Sequence, residues 1–225
     1  MWQKNIAERN RRVLAGNGGS DFYVNEGLLK KVIEKFEIPG KAEIDVWHAA
    51  SERYDGRKDN REFEFRTIHR DEAEETVRIE AICFPPNEAC KREHMVPRIE
   101  AASDAFWVAV DKETGHIAGF INGIATNEKS FRDEFFTDAS LHDPQGENLM
   151  ICGLDVLPEY RNHGLARELV RSYAKREEGR RKRLVLTCLE NLVPMYLKFG
   201  FRNLGISASQ WGGEAWHEME MKLED

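Results

Sequence analysis

The sequence has no long hydrophobic run. None of its stretches approaches the ~20 consecutive apolar residues of a membrane-spanning helix, so no membrane partner is expected. There is no basic excess either: 33 Lys and Arg stand against 40 Asp and Glu, a formal net charge of −7. That balance argues against a polyanion, and no nucleic acid is expected as a partner. A small cationic molecule suits this field better. Cysteine is scarce, with 4 in 225 residues, and Cys83, Cys90, Cys152 and Cys188 form no C-x-x-C pair. Such spacing makes neither a disulfide framework nor a zinc site; no metal is expected, and the thiols read as those of a reducing, cytoplasmic environment. The opening MWQKNIAERNRRV mixes charge with apolar residues and is not read as a signal peptide. Internal repeats and low-complexity tracts are missing as well.

What is present is a globular composition, 41% hydrophobic and 32% charged. Residues 1–60 carry helix-like periods (Ile6, Val13, Leu14; then Leu28, Leu29, Val32, Ile33, Phe36) broken by GNGGSD and IPGK. They read as a helical N-terminal extension of unknown role. GNGGSD has neither Rossmann nor Walker spacing and reads as a loop. From residue 61 the rhythm changes. EFEFRTI alternates as a half-buried strand, and DEAEETVRIEAICF reads as an acid-led amphipathic helix stopped by Pro85 and Pro86. A second helix is predicted over 87–102, and AFWVAVDKETGHIAGFINGIA reads as a hairpin around DKETG. Residues 127–147 are polar with an FRDEFF island and read as a long loop. NLMICGLDVL is strand-like and buried on both faces, with a helix expected over 164–178. Then come strand RLVLTCL, a short helix in NLVPMYLKFGF and two closing strands. The order β-α-α-β-β-β-α-β-α-β-β predicts an α/β (α+β) domain over 61–225, built on a mixed sheet.

The stretch LPEYRNHGLARELV places a polar turn between a buried strand and a helix. The first N–H groups of a helix are unpaired and lie at its positive end, so the turn is a candidate anion cradle. Gly164 lets backbone approach the anion, and small Ala166 keeps the helix close to it. This turn fits the pattern R/Q-x-x-G-x-G/A. With ENLVPMYLKFGF one strand later, the chain resembles the GNAT superfamily of acyl-CoA N-acyltransferases. AICFPPNEA, the 150–166 strand and loop, and LVPMYLKFGF resemble its arylalkylamine (serotonin) N-acetyltransferase branch, especially the non-vertebrate members. The resemblance covers residues 62–222 and says nothing of the first 60.

The resemblance implies a mostly antiparallel sheet, splayed where acetyl-CoA, the co-substrate, binds. The backbone of Leu154, Asp155 and Val156 would pair with the pantetheine arm like one more strand. Arg161, Asn162, His163, Gly164, Leu165, Ala166 and Arg167 would hold the pyrophosphate, with Asn191 a further cofactor contact. Tyr196 would protonate the departing thiolate, a task that suits a phenol uncharged at neutral pH. In animal enzymes of the branch two histidines stand on the strand before the loop; this chain has Met150 and Cys152 there. Strand parity puts those two on one face and Asp155 on the other.

The general base is therefore open. Glu88 is the first candidate, His94 and His142 are weaker ones, and a water chain without a dedicated base is an alternative. Cys152 as a nucleophile is disfavoured for want of a neighbouring histidine. The basic run Arg180, Arg181, Lys182, Arg183 reads as a solvated helix end, with a contact to the CoA 3′-phosphate as the alternative. The expected function is acetyl transfer to a small cationic primary amine, with an arylalkylamine favoured by the resemblance. A non-catalytic acyl-CoA-binding module and a protein or peptide N-acetyltransferase are the alternatives, and a homodimer is left open. For a small acceptor, the loops at 83–97 and 127–147 are expected to cover the site.

Overall fold

A computed structural model of the chain describes residues 61–223. The helical extension expected over 1–60 lies outside the described residues. Seven strands form one sheet: β1 (Phe63–Thr67), β2 (Phe106–Asp111), β3 (Ile117–Thr126), β4 (Asn148–Val156), β5 (Arg183–Leu189), β6 (Arg202–Ile206) and β7 (Trp216–Lys222). Four helices accompany them: α1 (Ala73–Cys83), α2 (Arg92–Ala101), α3 (Leu165–Glu177) and α4 (Val193–Lys198). Element types and order are those predicted. α2 starts later than expected because residues 87–90 form a turn, with the amides of Glu88 and Ala89 donating to the Pro85 carbonyl.

The strand order is β1-β2-β3-β4-β5-β7-β6. Every pairing is antiparallel except that of β4 with β5. Alternation along β2 and β3 sorts the side chains onto two faces. Phe106, Val108, Val110, Ile117 and Phe120 join Ile79 of α1 with Met95 and Ile99 of α2. Ala109, Ala118 and Ile121 join Leu165, Leu169 and Tyr173 of α3. Helices thus cover both faces, which is why β3 is buried along its whole length.

Two local features position the site. The parallel pairing of β4 with β5 runs only from Asn148 opposite Arg183 to Ile151 opposite Leu186, so the strands part beyond it. In the β3–β4 ladder Asn122 faces Gly153 while Gly123 faces Ile151, leaving Cys152 as the extra residue of a β-bulge. At the far edge of the sheet β6 carries another register shift between Asn203 and Gly205, with Ile206 74% exposed.

The segment 127–147, expected to be a polar loop, instead sends Phe131, Phe135 and Phe136 into the core through a short 3-10 turn, Asp133–Phe136. Its strut is Arg98 of α2, only 2% exposed. The guanidinium donates to Asn122 Oδ1 at 2.9 Å and to the Phe136 carbonyl at 2.5 Å. The basic run is likewise not solvated throughout. Arg181 is buried, pairs with Glu177 at 3.3 Å and donates to the Gly146 carbonyl, while Arg183 donates to Asn148 Oδ1 at 2.9 Å. A charge run looks solvated in sequence, but here β4 and the Glu177 carboxylate pack against it.

Arg98→Met keeps most of the stem and strips the donors, leaving Asn122 Oδ1 and the Phe136 carbonyl unpaired in the interior. The expected cost is about 2–5 kcal/mol, roughly 5–15 °C in Tm, read by calorimetry.

Candidate active site

A cavity of 1020 Å³ opens where β4 and β5 separate. Cys152, Gly153, Leu154 and Val156 line one side of the wedge and Thr187, Cys188 and Leu189 the other. Past Ile151 and Leu186 neither facing edge has a strand partner, so each offers backbone groups to an extended ligand. The Val156 carbonyl is already engaged, accepting from Arg161 Nε at 2.8 Å and from the Cys83 thiol at 3.4 Å.

The turn after β4 has the geometry its composition implies. Asn162, at φ 65°, is the one non-glycine residue with positive φ among the described residues. Asn tolerates the left-handed region better than most residues. Gly164, at φ 93°, is the N-cap of α3 and has no side chain to satisfy the helix's first N–H groups. Those donors, the curved backbone before them and the positive end of a 13-residue helix converge on the cavity wall. Arg161, Asn162, His163, Gly164, Leu165, Ala166 and Arg167 all line it. Arg167 also lies over the Phe199 ring at 5.8 Å, tying the start of α3 to the end of α4. Asn191 does not line the cavity; it is exposed on the 3-10 turn Glu190–Leu192.

Tyr196, on α4, is 8% exposed and lines the cavity beside Cys188 and Leu189. Phe199 and Phe201 meet its ring edge-on at 6.0 and 5.6 Å. No protein group among the described residues bonds its hydroxyl, which is left for a ligand. Burial, then the nearby Cys188 and Asp155, pushes the phenol above its ordinary range, so it stays protonated and available as a donor.

The opposite end is walled by aromatics from three segments. Trp211, on the 3-10 turn Trp211–Gly213, stacks on Phe136 at 4.8 Å, and Trp216 Nε1 donates to the Trp211 carbonyl at 2.9 Å. Trp211 Nε1 donates to the Glu88 carbonyl at 2.8 Å, and Asn87 Nδ2 donates to the Gly212 carbonyl at 3.0 Å. The Gln210 amide donates to Asp133 at 3.0 Å. Parts of both expected loops therefore cover the site, joined by the β6–β7 connection, whose Trp211 carried no motif in the sequence.

Glu88 lines this end, its carboxyl raised by partial burial and the charge of Glu214. Neither histidine candidate reaches the cavity. His94 Nδ1 is held 3.1 Å from the Thr137 carbonyl, and His142 is fixed between the Ala125 amide and Asp104. The Cys152 thiol donates to the Phe135 carbonyl at 3.3 Å and is held protonated by burial, which disfavours a nucleophilic thiolate. Burial likewise raises the cavity thiols of Cys83 and Cys188, to about 12 and about 11.

One expectation is reversed. Strand parity put Asp155 on the face away from Cys152, but the bulge at Cys152 adds a residue and resets the alternation. Asp155 turns toward Glu80 and Cys83 of α1, and Cys152 faces Glu80 and Arg98 on that same side. Asp155 is fully buried and does not itself line the cavity, although Leu154 and Val156 do. Glu80 is the functional candidate that sequence reading passed over. It lines the cavity at 3% exposure, with burial raising its carboxyl to about 7. The signal was present: Glu80 falls on the inner stripe of α1 with Ala73, Thr76 and Ile79.

Among the described residues no group of three or more His, Cys, Asp or Glu could hold a metal, and no helix is long and apolar enough to cross a membrane.

Comparison with known proteins agrees with this geometry. A sequence model described as the Acetyltransferase (GNAT) family matches residues 66–201. The GphF GNAT-like decarboxylase, solved with isobutyryl-CoA, superposes with TM-score 0.61 at 20% identity, covering 72% of this chain and 100% of that one. The loading GNATL domain of CurA from Lyngbya majuscula gives 0.60 at 14%, covering 72% and 98%. A GNAT phosphinothricin acetyltransferase from Sinorhizobium meliloti, solved with AcCoA, gives 0.52 at 12%, covering 72% and 89%. At these identities the likeness is one of fold. The family match spans more than half of the chain and encloses the wedge, the anion-cradling turn and Tyr196: this protein belongs to the GNAT acetyltransferase family.

Proposed function

We propose that the protein moves the acetyl group of acetyl-CoA directly to a small primary amine, with an arylalkylamine as the favoured acceptor. The observation that carries this reading is the meeting of three elements in one cavity: the N–H cradle at Gly164, the unbonded phenol of Tyr196, and an aromatic wall with acidic neighbours. The cradle and the parted strands fit a pyrophosphate joined to an extended arm. In that fit the turn from Arg161 to Arg167 holds phosphate oxygens and the β4 edge at Leu154 and Val156 aligns the arm. Acetyl-CoA supplies an activated thioester, and Tyr196 delivers a proton to sulfur as the thiolate leaves. Phe136, Trp211 and Trp216 suit a flat apolar body, while Glu88 and Glu80 suit the cationic nitrogen. An end walled by Phe136, Trp211 and Trp216 suits a small flat acceptor, and four unpaired thiols suit a reducing, cytoplasmic location.

Purified protein assayed for thiol release from acetyl-CoA against tryptamine, phenethylamine, spermidine, lysine and a short peptide tests this. Turnover is expected with the arylalkylamines; CoA binding without turnover on any acceptor would make the chain a binding module. Tyr196→Phe should lower kcat by about 10²-fold or more while CoA affinity, read by calorimetry, is kept. Gly164→Ala meets no atom within 4 Å, so its cost is purely that of the positive φ. Roughly 1–2 kcal/mol should appear as about tenfold weaker CoA binding or an equivalent loss of stability.

A further inference from the structure

The acceptor end of the wedge holds two buried carboxyls whose hydrogen bonding is incomplete. Glu80 Oε1 accepts the Cys90 amide at 2.8 Å. Glu80 Oε2 has no protein donor, neither does either oxygen of Asp155, and Asn122 Nδ2 has no acceptor. These atoms converge on one spot. A methyl group on Gly153 would stand 2.9 Å from Asn122 Nδ2, 3.2 Å from Asp155 Oδ2 and 3.7 Å from Glu80 Oε2. Gly153 and Glu80 both line the cavity, so the spot lies directly behind its wall, with the unpaired oxygens themselves shielded from solvent.

Two adjacent buried carboxylates without donors are costly, and a proton held between them makes one the donor the other lacks. The groups facing the pair are Cys83 on α1, the Cys90 thiol and amide, Arg98 on α2, Asn122 on β3, Cys152 on β4, Arg161, and Tyr196 on α4. The two cations already serve other acceptors: Arg98 bonds Asn122 and Phe136, and Arg161 bonds Val156. Burial outweighs them. It raises Glu80 to about 7 and lifts Asp155 well above its ordinary value, the charge of Glu80 adding to the shift.

Resting on the acetyltransferase reading above, we propose that Glu80 takes the proton that the acceptor amine must lose, and that Asp155 is a positioning residue that keeps its own proton and donates it in a hydrogen bond to Glu80. The acceptor enters as an ammonium. One proton passes to Glu80 across the space beside Gly153, and the freed lone pair forms the N–C bond to the acetyl carbon. The C–S bond breaks with its electron pair on sulfur. Tyr196 gives sulfur a proton and is restored by the second proton leaving nitrogen. Glu80 then releases its proton to solvent. The balance is ammonium plus thioester to amide plus thiol plus one proton.

The test is the pH profile of kcat at saturating substrates, with CoA affinity and Tm recorded for every variant. A base works when deprotonated, so the parent kcat should fall as pH drops through about 7. Glu80→Gln should lower kcat by about 10²-fold or more and erase that midpoint, with CoA affinity intact. Asp155→Ala removes the hydrogen bond that favours the Glu80 carboxylate and should move the midpoint up. Asp155→Asn keeps a donor and should hold it in place, and Glu88→Gln should leave it where it is. A folded Glu80→Gln protein with the parental profile, or a Glu88→Gln protein that loses the midpoint, would overturn the proposal while the acetyltransferase reading stands. If no amine is acetylated, that reading fails by itself. Infrared spectra then decide the pair: a protonated-carboxyl band lost in Asp155→Asn should persist above neutrality, and one lost in Glu80→Gln should grow below it. Absence of both sinks the pair.

Discussion

The early parting of β4 and β5 is the constraint on which the rest depends. Parallel strands joined through a helix would ordinarily pair along their shared length, but here four registered pairs hold them and then the ladder stops. Between the two strands run the turn into α3 and the helix itself, anchored by Leu165, Leu169 and Tyr173 and by the Tyr173 hydroxyl donating to the Ala105 carbonyl at 2.7 Å. Unpaired sheet edges inside a protein are unfavourable unless something completes them. A ligand with an extended amide-bearing arm does so. On the proposed reading, cofactor affinity would be built from the same missing hydrogen bonds that keep the sheet from closing.

The two ends of the wedge obey different electrostatics. At the turn end backbone donors and a helix terminus offer positive potential beside the side chains of Arg161, His163 and Arg167. At the other end Glu80, Asp155 and Glu88 lie near Phe136, Trp211 and buried thiols, where desolvation raises all three carboxyls and brings Glu80 to about 7. One cavity thus combines a donor-rich, cationic end with a carboxyl-bearing one.

Much of this was legible in the sequence, and the exceptions have local causes. The Asn162–Gly164 turn and Tyr196 could be read directly, because a left-handed turn at a helix start and a phenol beside a buried strand depend on nearest neighbours. Element order followed from hydrophobic period and from Gly and Pro punctuation. The facing of Asp155 could not be read, since a one-residue bulge at Cys152 leaves the apolar pattern of the strand unchanged while inverting everything beyond it. Trp211 was equally hidden: its turn is held at the site by bonds of Gln210 with Asp133, Trp211 with Glu88 and Gly212 with Asn87, each more than seventy positions away in the chain. Glu80 was hidden by habit. A glutamate in an acid-rich helix reads as solvated until its phase is counted against Thr76 and Ile79.

The register shift in β6 reaches beyond its own hairpin. Among the described residues β6 is an outer strand with exposed Leu204 and Ile206, the kind of edge on which another polypeptide could lengthen the sheet. The irregularity between Asn203 and Gly205, where Gly205 sits at φ 106°, interrupts the even spacing of the strand's N–H and C=O groups and twists the rim out of line. A docking strand would find matching partners for only a residue or two before losing phase. The protein can therefore carry an apolar border at this edge without inviting runaway end-to-end polymerisation.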